Sequence, residues 1–297
     1  MIFPKPSVLL WVWLGLLLLF AIAPGLDLWV AGQFFDPASA SFPMDANPNL
    51  QMMRETMWLF FDLVTVIIML MAAHSLASGR ALKIPGRVWG YCVAFVLLGP
   101  WLLVNVGLKS HWGRARPAHL DIFGGEAHFT PPWQFASECA SNCSFVSGEA
   151  AAAVTVMILL GVFLWNVVPL PWRKLLLVGL VTFAVVAASL RVMKGRHFLS
   201  DVLWAGVLMA TLAEGLGRLF RIPAAMPSLT PAALVHDALA LKNDVAESLG
   251  RRAGQVWAAL RRARRLAALA MGRRVAEPVR SSSGGPGPVK QATETGS

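Results

Sequence analysis

Six apolar stretches constrain this chain more than any other feature. They run over residues 8–24, 57–77, 88–108, 148–168, 174–190 and 201–220. Each approaches the roughly 20 residues that a helix needs to cross the hydrocarbon core of a bilayer. The expected fold is therefore all-α, a six-helix transmembrane bundle. Composition agrees. The 297 residues are 56% apolar and only 14% charged, against about 25% charged in a soluble domain. The bundle is expected over residues 1–223, followed by a basic amphipathic helical tail over 224–280 and a disordered end over 281–297. The first stretch also imitates a secretory signal, with Lys5, an apolar run, then Ala21, Ile22 and Ala23. It reads as a retained helix, because five remaining spans would put the ends of the bundle on opposite sides.

The net charge is +10, from 26 Lys and Arg against 16 Asp and Glu. Such a balance suits nucleic acid or anionic lipid. Its placement argues against nucleic acid: arginine concentrates after Leu216 and in short loops between apolar stretches. Arg80, Lys83 and Arg87 lie in one loop, Arg173 and Lys174 in another, and Arg218 and Arg221 open the tail. With six alternating spans these fall on one side together with Lys5. The positive-inside rule makes that side, and the C-terminus, cytoplasmic. The segment over residues 25–56 carries Asp27, Asp36, Asp45 and Glu55 against Arg54 alone, which fits the opposite side. Two further segments on that side break the rule. One holds Lys109, Arg114 and Arg116; the other holds Arg191, Lys194 and Arg196. Positive charge placed against the bias needs a use, and an anion site is the obvious one.

Three clusters carry candidate chemistry. His197 and Asp201 are four apart, so on a helix start they share a face. A carboxylate beside an imidazole fixes one ring nitrogen as donor and leaves the other lone pair free to attack. Arg191 just before them can grip a phosphate with its fork of donors. Alone, this cluster reads as readily as a surface His with a helix-capping Asp. Ser147 and Gly148 open an apolar stretch, where free N–H groups and the helix dipole attract anions, although an ordinary Ser cap gives the same pattern. Lys109 and Arg116 add two cations. Phosphoryl transfer is mostly positioning and electrostatics, so this set of groups suits it.

Lys109 with Arg116 and Pro117, then Ser147 with Gly148, then Arg191 with His197 and Asp201 resemble the type 2 phosphatidic acid phosphatase (PAP2) superfamily, whose motifs are KxxxxxxRP, PSGH and SRxxxxxHxxxD. The resemblance covers roughly residues 88–216 as motif-bearing core. It implies a fold like that superfamily and the vanadium haloperoxidases, and a phosphatase that needs neither metal nor other cofactor. His197 is implied to become phosphorylated, Asp201 to orient it, and Lys109, Arg116, Ser147, Gly148 and Arg191 to hold the phosphate. Three positions depart from the motifs: Val146 replaces Pro, Leu190 replaces Ser, and Glu149 replaces the His that protonates the leaving oxygen in the family. A Glu acts as general acid only if its proton stays on near neutral pH. The run from Asn142 to Glu149 is similar to a bacterial branch that includes lipid A 4′-phosphatase-like proteins. That implies a lipid A-type substrate met at the periplasmic face of a bacterial inner membrane. Transfer of the phosphate to another lipid, action on undecaprenyl pyrophosphate, phosphatidic acid or phosphatidylglycerophosphate, and a phosphate-binding protein without activity are the alternatives.

Cys139 and Cys143 lie in the segment assigned to the oxidising side, where a small disulfide is favoured over two free thiols. Asp62 lies inside the second stretch and is expected to pair with a neighbouring helix. His111, His119 and His128 read as solvated loop residues, and Trp112 and Trp133 as interfacial anchors. In the tail, Val256, Leu260, Ala263, Ala267 and Ala270 form a stripe surrounded by arginines. A basic amphipathic helix of this kind is expected to lie on anionic lipid.

Overall fold

In the computed structural model, residues 4–77 and 82–275 are described. Arg80, the expected disordered end over 281–297, and the side chains of Ala270, Arg273 and Arg274 lie outside the described residues. The chain forms two compact units, Met1–Leu241 and Lys242–Ser297.

The first unit is built from helices. They are α1 (Pro6–Ile22), α2 (Leu26–Gly32), α3 (Pro48–Ala77), α4 (Gly86–His111), α5 (Gly148–Leu164), α6 (Arg173–Met193) and α7 (Leu199–Leu219). The first turns of α8 (Pro231–Val275) complete it. Among the described residues, α3, α4, α6 with its preceding turn, and α7 are long and apolar enough to cross a membrane. The pair α1 and α2, bent by 80°, makes a fifth candidate. The 17-residue α5 is apolar but shorter. All six expected stretches are thus helical, and four or five of the helices have spanning length.

Helix α5 is the axis of the bundle. Ala150, Ala151, Ala152 and Ala153 are buried on it, with Thr155, Val156, Leu159, Gly161 and Val162. A helix apolar all round belongs inside, and small side chains let α4, α6 and α7 approach it closely. Outward faces carry large apolar residues instead, such as Leu59, Leu63 and Leu70 on α3 and Leu175, Val178 and Val185 on α6. Helix α1 packs on α7: the Trp13 indole donates to the Thr211 hydroxyl at 2.9 Å, and its ring lies 4.9 Å from that of Trp204.

Two local features differ from the sequence reading and both shape the site. Helix α3 starts at Pro48, well before the apolar stretch. Pro at the first helical position and the Asn47 side chain, which accepts from the Asn49 and Leu50 amides at 3.0 and 3.3 Å, set that start. Arg54 therefore sits on a helix and not in a loop. Helix α4 widens to a π-type stretch over Leu97–Leu108 with Pro100 inside it. Pro lacks an N–H and disturbs the ladder around it. The Pro100 carbonyl is taken up at 2.7 Å by the Asn105 side chain, one turn before Lys109.

Asp62 is exposed on α3, not turned against a neighbouring helix. Trp112 is packed between Phe135 and Phe145, at 4.2 and 4.4 Å between centroids, so it serves the fold of the loop. In the second unit, α8 continues as a helix whose Val256, Trp257, Leu260, Leu266 and Leu269 are exposed.

Candidate active site

The turn from α6 to α7 is shaped by Gly195. Its φ is +63°, and an added Cβ would lie 2.5 Å from the Phe42 ring, so only Gly fits. The chain curls back so that the His197 and Arg196 amides both reach the Arg191 carbonyl, at 3.2 and 3.0 Å. Asp201 then caps α7, accepting from the Phe198 amide at 2.8 Å. The capping and the catalytic reading of Asp201 are compatible, because the carboxylate has further partners.

His197 is 1% exposed. Its Nδ1 lies 2.8 Å from the Ser144 carbonyl oxygen and 3.6 Å from Asp201 Oδ2. A carbonyl oxygen only accepts, so Nδ1 carries the hydrogen and Nε2 keeps a free lone pair. The nearer orienting group is thus a backbone carbonyl, with Asp201 behind it. Burial pushes the imidazole down to about 4, and the charges of Arg191 and Lys109 push the same way, while Asp201 opposes them. The ring is neutral near pH 7, the state a nucleophile needs.

Asp201 is held by groups that sequence reasoning did not assign. The Ser144 hydroxyl donates to its Oδ2 at 2.5 Å and Arg114 Nη1 to its Oδ1 at 2.6 Å. Arg114 is fully buried. It also donates to Asp27 at 2.8 Å, to the Ser200 hydroxyl at 2.8 Å and to the Thr130 carbonyl at 2.8 Å, and lies 4.2 Å from the Phe198 ring centre. Asp27 in turn accepts from the Ser200 amide and hydroxyl at 2.8 and 2.5 Å. The only sequence signal was an Arg on the side where positive charge is disfavoured.

A cleft of about 370 Å³ opens against Arg196, the chain neighbour of His197, while His197 itself is buried and not among its lining residues. Lys109, Arg116, Gly148, Glu149 and Arg191 line it, as the sequence reading expects, and so do Arg54, Lys194 and Arg196. Six cations there face two carboxylates, Asp45 and Glu149. Lys109 Nζ donates to the Asn142 side chain at 3.1 Å and Arg116 to the Asn142 carbonyl at 2.8 Å. A Cβ added to Gly148 would lie 3.0 Å from Asn105 Oδ1 and 3.6 Å from Lys109 Nζ. Asp45 faces Arg196 at 2.5 Å and Lys194 at 3.7 Å. Burial works to raise the Asp45 carboxyl, but Arg196 and Lys194 outweigh it and hold it below the usual range.

The structure brings much of the expected set together, with His197 and Asp201 buried behind the cleft lining and two further distinctions. Ser147 is buried as the cap of α5, its Oγ 3.4 Å from the Ala150 amide, and does not line the cleft. Its amide donates to the Asp201 carbonyl at 3.2 Å, tying the His197 segment to the start of α5. Glu149 does reach the cleft, but its carboxylate is engaged. Arg54 grips it with Nε at 3.0 and 3.1 Å and Nη2 at 2.9 Å, and Arg191 Nη1 lies 3.3 Å away. Cys139 and Cys143 are bonded to each other, with Cα atoms 5.6 Å apart. His111 and His128 are exposed, as expected of solvated residues, and bond to the Gly107 carbonyl and Asp121. His119 is exposed as well and lies outside this cleft. Among the described residues, no group of three or more His, Cys, Asp or Glu is placed to hold a metal ion.

Residues 87–220 match the PAP2 superfamily. A protein of Rhizobium etli named lipid A 4′-phosphatase is 35% identical over 217 residues, covering 65% of this chain and 79% of the relative. One of the same name from Rhizobium leguminosarum is 34% identical over 230 residues, 69% of this chain and 92% of the relative. A third, from Francisella tularensis subsp. novicida, is 33% identical over 195 residues, 64% and 84% respectively. No solved structure matches the chain.

Proposed function

The chain belongs to the PAP2 superfamily, and on that premise we propose that it removes a phosphate monoester from a lipid A-type glycolipid through a phosphohistidine at His197. The observation that carries this reading is the His197 ring. Its Nδ1 is committed to the Ser144 carbonyl, which leaves Nε2 as a neutral nucleophile, and Arg191 and Lys109, whose charges act on the ring, line a cleft with a surplus of positive charge. The choice of lipid A rests on the names of the three relatives.

In this mechanism Lys109, Arg116, Arg191 and the start of α5 at Gly148 hold the phosphate oxygens, with Ser147 capping that helix from behind. The Nε2 lone pair attacks phosphorus. The ester P–O bond breaks, and its electron pair leaves with the sugar oxygen, which takes up a proton from water. Asp201 stabilises the charge on the phosphorylated imidazole. Water then attacks phosphorus, the P–N bond breaks, its electron pair returns to Nε2, and inorganic phosphate leaves. Arginine and lysine supply the positive charge throughout.

The same reading sets the protein in a bacterial inner membrane by six helices, α5 included, with the cleft towards the periplasm and the C-terminus in the cytoplasm. The basic loops and tail support that orientation. It treats residues 1–223 as the phosphatase domain, 224–280 as a cytoplasmic tail against anionic lipid, and 281–297 as a disordered end. The test is phosphate release from lipid A by the protein in membranes, wild type against His197→Ala. Loss in the variant, with radiolabelled phosphate retained on wild-type protein after acid-free quenching, is the expected result. Undiminished release by the variant overturns it.

A further inference from the structure

Glu149 stands where the superfamily motif carries a His, and its surroundings define a different task. A proton donor must carry its hydrogen towards the leaving oxygen. Both Glu149 oxygens instead accept, Oε1 from Arg54 Nε and Nη2 and Oε2 from Arg54 Nε, and Arg191 Nη1 forms an ion pair with Oε1 at 3.3 Å. A carboxylate in that state is acceptor only. Three helices meet at this point, since Arg54 comes from α3, Glu149 from α5 and Arg191 from α6. Arg191 Nε is buried with no hydrogen-bond partner among the described residues, while Nη1 is held by Glu149. Its fork is thus fixed at one end and unfilled at another, as suits a group waiting for an anion.

We propose that Glu149 is a positioning residue that fixes the Arg191 guanidinium for the phosphate, and that Arg54 is its counter-ion, neutralising Glu149 so that it does not repel the arriving dianion. Arg54 is thereby a determinant of phosphate binding that acts through Glu149. The inference rests on the phosphatase reading above for its substrate, but not for its geometry. It explains why a carboxylate is tolerated inside a phosphate site at all. Without Arg54, Glu149 would spend its charge on Arg191 and compete with the phosphate.

The test compares Arg54→Met, Glu149→Gln and the double variant in the full-length protein, with lipid A, p-nitrophenyl phosphate and phenyl phosphate as substrates. Arg54→Met raises KM at least tenfold. Adding Glu149→Gln to it lowers KM again, because the stranded charge is gone. Glu149→Gln alone reduces kcat by the same factor for the nitrophenyl and phenyl esters, since no proton from Glu149 assists departure. A double variant no better than Arg54→Met, or a Glu149→Gln loss that grows a hundredfold from the nitrophenyl to the phenyl ester, overturns the proposal. The second result would make Glu149 the acid. Vanadate affinity of the four proteins gives an answer independent of turnover: weakened in Arg54→Met and recovered in the double variant supports the proposal, and equal affinity in both overturns it. Inactivity of the wild type on all three substrates refutes the phosphatase reading without touching that comparison.

Discussion

Arg114 Nη1 lies 2.6 Å from Asp201 Oδ1, and neither side chain touches solvent. The same guanidinium pairs with Asp27 at 2.8 Å, also fully buried. One cation therefore stands between two carboxylates, one of which lies 3.6 Å from the His197 ring. Removing one member of a buried pair leaves an uncompensated charge, which costs about 3–5 kcal/mol. Arg114→Met is expected to lower the melting temperature of the purified protein steeply. Activity should fall even where the fold survives, because Asp201 loses its anchor. Arg114→Lys should rescue little, since one ammonium cannot reproduce the fork that reaches Asp27, Ser200 and Asp201 together. Thermal unfolding in detergent and kcat on lipid A measure both effects.

Ser144 serves His197 twice, with its carbonyl on Nδ1 and its hydroxyl on Asp201. Ser144→Ala separates the two. The carbonyl and the tautomer it selects remain, while a buried carboxylate loses one donor, a loss of about 1–3 kcal/mol. The variant should bind vanadate nearly as well as wild type but turn over more slowly. A KM change with kcat intact would show that the hydroxyl acts on binding instead.

His197 gives stability a pH dependence of definite sign. Its folded value of about 4 lies below the ordinary imidazole value of 6.5. Between those values the unfolded chain binds a proton that the folded protein refuses, so stability falls on acidification through that window and is unaffected by this group above it. The shift corresponds to about 3 kcal/mol in all. Wild type should lose melting temperature relative to His197→Gln between pH 6.5 and 4, and the two should run parallel from pH 7 to 8. A parallel course over the whole range would refute the buried neutral ring.

The tail offers a separate prediction. A peptide of residues 245–275 should gain helicity on phosphatidylglycerol vesicles, and much less on phosphatidylcholine, with the gain screened by salt. Circular dichroism at two salt concentrations reads this directly. Equal response to both lipids would remove the electrostatic part of the reading.

Much of the site was legible because its groups lie in short runs. Lys109 with Arg116, Ser147 with Gly148, and Arg191 with His197 and Asp201 are each separated by less than three helical turns. Helix periodicity and hydropathy are local properties, so the helices and the motif clusters could be read along the chain. Arg54 was noted as the one cation of its segment and Arg114 as a charge against the topological bias, yet neither received a role. Their partners are remote. Arg114 is 87 residues from both Asp27 and Asp201, and Arg54 is 95 residues from Glu149. The sequence by itself determined the apolar helices, the clusters of basic residues between them, and the motif groups around Lys109, Ser147 and His197 that the proposed mechanism uses. The tertiary structure alone decided which nitrogen of His197 is free, what holds Asp201, and that Glu149 is gripped by two arginines. Those depend on which helix ends meet, and packing around α5, not any local pattern, brings them together.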